Sequence, residues 1–167
     1  MIVFDSSTLI LLAKAELLAL FLSGAKQEVV IPGEVDRECC RVKKTFDALM
    51  IEKAVDESKI KVIQVKDKRL VAKLQVDFSL GQGEAEAIAL ALKARERVLG
   101  IDDKNAINAC KLLRIPFTTA MAILVRSREK GLLDRSEALT RLAMLAGYGR
   151  YKSSIVEDAR LRLEAGP

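Results

Sequence analysis

Gly81-Gln82-Gly83-Glu84-Ala85-Glu86-Ala87-Ile88-Ala89 runs on, through residues 90–97, to Val98-Leu99-Gly100-Ile101-Asp102. In the first part Ala85, Ile88, Ala89 and Leu92 recur at helical spacing, which predicts an amphipathic helix opened by Gly81 and Gly83. The second part predicts a buried strand over 97–101 that stops on a carboxylate. A further helix is expected from about Lys104 to Leu113. Glu84 precedes Asp102 by 18 residues, one helix plus one strand, so both acids can reach the same edge of a sheet. Parallel sheets collect their ligand sites at the carboxyl ends of their strands, so this stretch points to a fold and to a site together.

The same pattern repeats outward from there. Ile2-Val3-Phe4 reads as a buried strand ending on Asp5, with Ser6 and Ser7 as caps for an apolar helix through about Phe21. Residues 28–31 read as a second strand. Pro32 then opens a helix whose stripe of Val35, Cys39, Val42, Phe46 and Leu49 predicts one element to about Glu57. Residues 59–65 alternate as a third strand, and a mixed segment separates them from Gly81. After the fourth strand and its helix, residues 115–118 form a fifth. Three helices fill the remainder, at about Thr119 to Lys130, Ser136 to Leu145 and Ser153 to Glu164. Asp134-Arg135-Ser136-Glu137 carries a capping-box signal for the second of these. Strands alternating with helices predict a parallel α/β sheet covered on both faces.

At 167 residues the chain is expected to form one domain with a real core. Half of it is apolar and only 4% is aromatic, so that core must be aliphatic. The cysteines are the adjacent pair Cys39-Cys40 and a lone Cys110, which fit neither a disulfide framework nor a zinc spacing. The chain contains no histidine. Ser-His-Asp and Cys-His catalysis are excluded, and proton transfer falls to carboxylates, lysine or water. The most apolar stretch, Leu9 to Leu22, is interrupted by Lys14 and Glu16 and starts after an acid. It suits neither a spanning helix nor a signal peptide, which predicts a soluble cytoplasmic protein. The net charge of +5 is uneven: residues 37–73 hold 11 Lys/Arg against 6 Asp/Glu, and the rest holds 17 of each. That segment is either a pair of solvated helix faces or a phosphate-attracting surface of the kind nucleic-acid binders use.

Each candidate carboxylate has an ordinary alternative. Asp5 would serve equally as an N-cap, although Ser6 and Ser7 offer the same group. Glu38 competes with Glu34 and Asp36, and it is preferred because 35, 38 and 42 follow helical spacing beside the apolar stripe. Glu84 and Glu86 lie about 200° apart around a helix at ~100° per residue, so both cannot face one site. Glu84 is preferred for the small residues around it. Asp102 follows its strand directly, while Asp103 would cap the next helix, with Asn105 as a neutral polar neighbour. A haloacid-dehalogenase-like reading wants a second Asp two residues after the first, where Ser7 stands.

Together these segments resemble the PIN-domain superfamily of metal-dependent nucleases, which includes the VapC toxins. Residues 2–10 are similar to its first motif, a hydrophobic strand ending in Asp followed by Ser or Thr. Residues 31–38 resemble the second, Gly83-Glu84-Ala85-Glu86-Ala87 the third and Leu99-Gly100-Ile101-Asp102-Asp103 the fourth. Ile115-Pro116-Phe117-Thr118-Thr119 and Gly131-Leu132-Leu133 match the end typical of a prokaryotic subgroup carrying the Gly-Glu-Ala-Glu-Ala run. The chain departs in having Glu84 where many members have Asp, and Gly100 where Thr or Ser is common. The resemblance covers about residues 1–133, leaving 134–167 as a helical extension packed on the same domain and available for oligomerisation or a partner.

It implies a three-layer α/β/α sandwich with a central parallel sheet of about five strands, often dimeric, that cleaves RNA phosphodiesters with Mg²⁺ or Mn²⁺. Asp5, Glu38, Glu84 and Asp102 become the catalytic set, with Asp5, Asp102 and Glu84 holding metal and Asp103 auxiliary. Ser6, Asn105, Arg41 and Lys43 are the expected substrate contacts. Crowded carboxylates repel and favour a divalent cation, which agrees with that chemistry. A toxin role with an antitoxin protein as partner, an RNA-processing role, and a catalytically silent RNA-binding module on the same fold are all compatible with the sequence.

Overall fold

The computed structural model describes residues 1–41, 45–93 and 97–165. Its strands are β1 (Ile2–Phe4), β2 (Val29–Pro32), β3 (Lys61–Ile63), β4 (Val98–Gly100) and β5 (Phe117–Thr118). They form a parallel sheet in the order β3-β2-β1-β4-β5. Because side chains alternate across a strand, neighbouring residues feed two different cores. Phe4 and Ile31 enter one cluster with Leu9, Leu12, Leu124 and Leu142. Val3, Val30 and Leu99 enter the other with Ile88, Ile101 and Ala106. The result is an α/β/α sandwich, as expected, whose core is aliphatic.

One face carries α1 (Ser6–Lys14), α2 (Leu18–Gly24), α4 (Phe46–Asp56), α8 (Ala120–Glu129), α9 (Arg135–Tyr148) and α10 (Ser153–Ala165). The other carries α5 (Lys68–Phe78), α6 (Gln82–Leu92) and α7 (Lys104–Leu113). Order reverses between β1 and β4, with β2 and β3 to one side and β5 to the other. That reversal makes a crevice at the strand ends where α/β proteins place ligands. Register across it is direct, Phe4 opposite Gly100, and the Asp5 N–H extends the ladder to the Gly100 carbonyl at 3.1 Å.

Three sequence expectations need correction. The helix expected through Phe21 is two helices bent by 106°. Glu16 takes a left-handed φ of 55°, and the Leu17 N–H reaches back to the Leu12 carbonyl at 2.8 Å, closing a Schellman-type stop without glycine. Among the described residues no single helix is long and apolar enough to cross a membrane. The long helix after Pro32 is likewise divided, into α3 (Gly33–Asp36), a π-helical segment Arg37–Arg41, and α4. Its predicted stripe fails beyond the break: Phe46 and Leu49 are exposed while Ala48, Ile51 and Ala54 are buried, and Val42 lies outside the described residues. Finally, the mixed segment contains α5, capped by Asp67, whose carboxylate accepts the Leu70 N–H at 3.1 Å.

Candidate active site

Asp5 follows the last residue of β1 and is completely buried. It is the N-cap of α1: its Oδ1 accepts the Thr8 N–H at 2.9 Å, and its Oδ2 accepts the Ser7 hydroxyl. Capping and a functional role therefore coexist in this one carboxylate. Burial pushes its pKa up to about 7, against the pull of the Ser7 and Thr8 hydrogen bonds, and the charge of Asp102 adds to the rise. The buried Thr8 hydroxyl lies beside this carboxyl and lowers its pKa, but completes no well-formed hydrogen bond.

Asp102 stands two residues past β4, across the crevice from Asp5, and is half-buried. Its Oδ2 accepts the Ala120 N–H at 2.9 Å, from the first turn of α8. Its Oδ1 accepts the Tyr151 hydroxyl at 2.6 Å. A helix N-terminus and a phenol thus fix both oxygens.

Glu38, Glu84 and Asp103 make a second group. Glu38 sits in the π-helical segment. Its carboxylate lies against the first turn of α6, since a Cβ on the buried Gly83 would stand 2.8 Å from its Oε2. Glycine at 83 is what permits that approach. Glu84 accepts the Gly81 N–H at 2.8 Å, closing the first turn of its own helix. Burial raises its pKa; the Gly81 bond opposes this, while the charges of Asp103 and Glu38 reinforce it. Asp103 caps α7 by accepting the Asn105 and Ala106 N–H groups at 2.7 and 3.0 Å. Cys39 lies between the two groups: burial, then Cys40, Glu38 and Asp5, push its thiol up, so it is no nucleophile.

The competing acids have other employment. Glu86 is buried and accepts the Glu34 N–H at 3.3 Å and the Lys68 ammonium at 3.1 Å, tying α6 to α3 and α5. Glu34 pairs with Arg37. Of the expected substrate contacts, Ser6 is half-buried beside Asp5 in sequence. Asn105 is exposed, and its amide donates to the Ser79 carbonyl at 3.4 Å. Lys43 and the side chain of Arg41 lie outside the described residues. Among the described residues of the basic stretch, Arg37, Lys53, Lys59, Lys61, Lys68 and Lys73 each pair with a carboxylate.

The donor set is oxygen only, which is the chemistry of Mg²⁺ and Mn²⁺ rather than zinc. The raised Asp5 carboxyl, the incompletely bonded Thr8 hydroxyl and the flanking Asp102 suit a hard cation and its waters. Among the described residues, however, no three acids or thiols stand close enough together to clasp an ion. Side-chain rotation, most simply of Glu84 out of its bond to Gly81, would have to accompany binding. Two contributors are not legible in the sequence. Gly83 reads there only as a small residue, because its partner across the fold leaves no local mark. Tyr151 lies 49 residues beyond Asp102, and nothing in its local pattern marks it.

Comparison with protein families supplies the remaining finding. A family model described as a PIN domain matches residues 1–164. No curated protein matches the chain, and no solved structure does.

Proposed function

The chain belongs to the PIN-domain family, a nuclease-type fold, and from that premise we propose that it is a metal-dependent endoribonuclease. The observation carrying the reading is the pairing of a fully buried Asp5 with Asp102 across the reversal of the sheet, where the two charges act on each other. Two acids at one strand edge are costly for a fold unless something positive is bound there.

When bound, Mg²⁺ or Mn²⁺ supplies Lewis-acid activation of water and neutralises charge on a phosphodiester. Asp5 and Asp102 are the principal holders. Glu84 approaches from the first turn of α6 and Glu38 from the π-helical segment packed against it, directly or through water, with Asp103 auxiliary. Burial of Asp5 excludes bulk water from one side, and the N-caps and Tyr151 hold the two strand-end acids in place. The substrate is RNA, taken on a surface to which Ser6, Asn105, Arg41 and Lys43 contribute. The subgroup resemblance favours a toxin restrained by an antitoxin protein, with the chain acting as a homodimer.

An RNase assay with purified protein, with and without Mn²⁺, tests this directly. Cleavage is expected only with the ion, and Asp5→Asn is expected to lower it by at least about a hundredfold, the scale of a group acting in the transition state. Cleavage that survives EDTA or the substitution would sink the assignment. The looseness of the carboxylate cluster favours one rival, a catalytically silent RNA-binding module. Metal-independent RNA binding without cleavage would decide for it.

A further inference from the structure

We propose that Tyr151 is a positioning residue of this nuclease site: its hydroxyl and the Ala120 N–H together fix the plane of the Asp102 carboxylate. The inference rests on the nuclease reading and deepens it. The hydroxyl donates to Oδ1 at 2.6 Å while Ala120 donates to Oδ2 at 2.9 Å. Each oxygen keeps a further lone pair for a cation, and the carboxylate cannot rotate without breaking one bond. The tyrosine ring itself packs against the larger core, a task phenylalanine would perform equally. The hydroxyl is therefore what needs an explanation, and the group that accepts its proton is Asp102.

The chain also makes room for this arrangement. At Gly149, the C-cap of α9, a Cβ would overlap Cε2 of the Tyr151 ring. Gly149 has an ordinary φ of −93°, so glycine is not needed there for its backbone. It is needed for the ring. The segment joining α9 to α10 thereby belongs to the site, although it lies beyond the part of the chain whose motifs carry the acids.

The test has a readout independent of metal. The chain has no tryptophan and two tyrosines, so Tyr148→Phe leaves Tyr151 as sole emitter. A carboxylate hydrogen-bonded to a phenol quenches its fluorescence, by accepting the proton in the excited state. In that background Asp102→Asn is expected to raise tyrosine emission clearly. Unchanged emission overturns the contact and the proposal with it.

With native tyrosine at 148, Tyr151→Phe is expected to weaken Mn²⁺ binding about tenfold, the lower end for partners that orient metal-holding groups. Binding is followed by the magnetic resonance signal of the free ion. The same variant should lower kcat and leave KM for RNA unchanged, with the thermal transition intact. Gly149→Ala, which displaces the ring and keeps the hydroxyl, should show the same pattern. Wild-type Mn²⁺ affinity and kcat in both variants would overturn the role. A wild-type protein that neither binds Mn²⁺ nor cleaves RNA overturns the nuclease reading instead, and the emission measurement still reports on the pair.

Discussion

Phe4 decides what residue 100 can be. A Cβ at Gly100 would run into the Phe4 ring, which is itself held edge-on against Phe21 at 5.4 Å between centroids. A Thr or Ser side chain at 100 has no space here. Asp102 takes its support instead from Ala120 and Tyr151. Asp5 carries the strongest residue-level consequence. Burial, with help from Asp102, lifts its carboxyl from 3.8 to about 7. The unfolded chain releases that proton near pH 4, as an ordinary aspartate does, and the folded chain only near 7. Between those values the folded state binds more protons, so stability falls as pH rises. The loss at pH 8 is on the order of 4 kcal/mol, at about 1.4 kcal/mol per tenfold change. In EDTA, Asp5→Asn should remove this slope and be the more stable form at pH 8. Urea midpoints between pH 4 and 8 measure it, and parallel slopes for the two proteins would clear Asp5 of the effect. Mn²⁺ should recover stability more at pH 8 than at pH 5, because the ion needs the ionised carboxylate.

At the level of elements, legibility depends on the source of each signal. Strands β1, β2 and β4 and helices α6 and α7 announce themselves through apolar period and flanking acids, and they are readable to within a residue or two. The fold and the strand-end positions of Asp5 and Asp102 come with them. Hidden from the sequence is whatever backbone geometry decides without a mark in composition. Glu16 adopts a left-handed conformation without being Gly or Asn, so the break between α1 and α2 sits inside an apolar, leucine-rich run. Thr45, the N-cap of α4, is extended, so α4 starts afresh with its own phase and a single stripe from Val35 to Leu49 fails. Tyr151 is invisible for another reason: its partner is set by packing of distant helices. The Glu16 stop carries its own prediction. A non-glycine residue in that conformation costs about 1 kcal/mol, and the ion pair of the exposed Glu16 with the largely buried Arg141 is loose at 3.8 Å. Glu16→Gly should therefore raise stability by roughly 0.5–1 kcal/mol. A lower urea midpoint in the variant would mean that the left-handed residue is held at no cost.

For the whole molecule, the question is whether the part bearing the acids can stand without its last two helices. Residues 134–167 read from sequence as an extension, but α9 and α10 contribute Ala138, Leu142, Leu145, Ala159 and Leu163 to the same buried cluster as Phe4 and Leu12. Leu145 and Leu163 are fully buried, and an ion pair from Arg162 to Glu129 at 2.8 Å reinforces the seam. The family match reaches residue 164, well past the last motif. Each buried leucine contributes about 1.5–3 kcal/mol. Three of them, with the alanines, approach the roughly 5–15 kcal/mol by which a domain is stable at all. A chain ended at Leu133 would uncover α1 and α8 and leave Asp102 without Tyr151. It should lose cooperative unfolding, with collapsed side-chain dispersion in its proton–nitrogen spectrum, while the chain ended at Glu164 keeps both. A sharp transition at the full-length midpoint from the shorter chain would show that residues 1–133 are autonomous. The last two helices would then be a separable attachment, and the tyrosine contact an accident of where they dock.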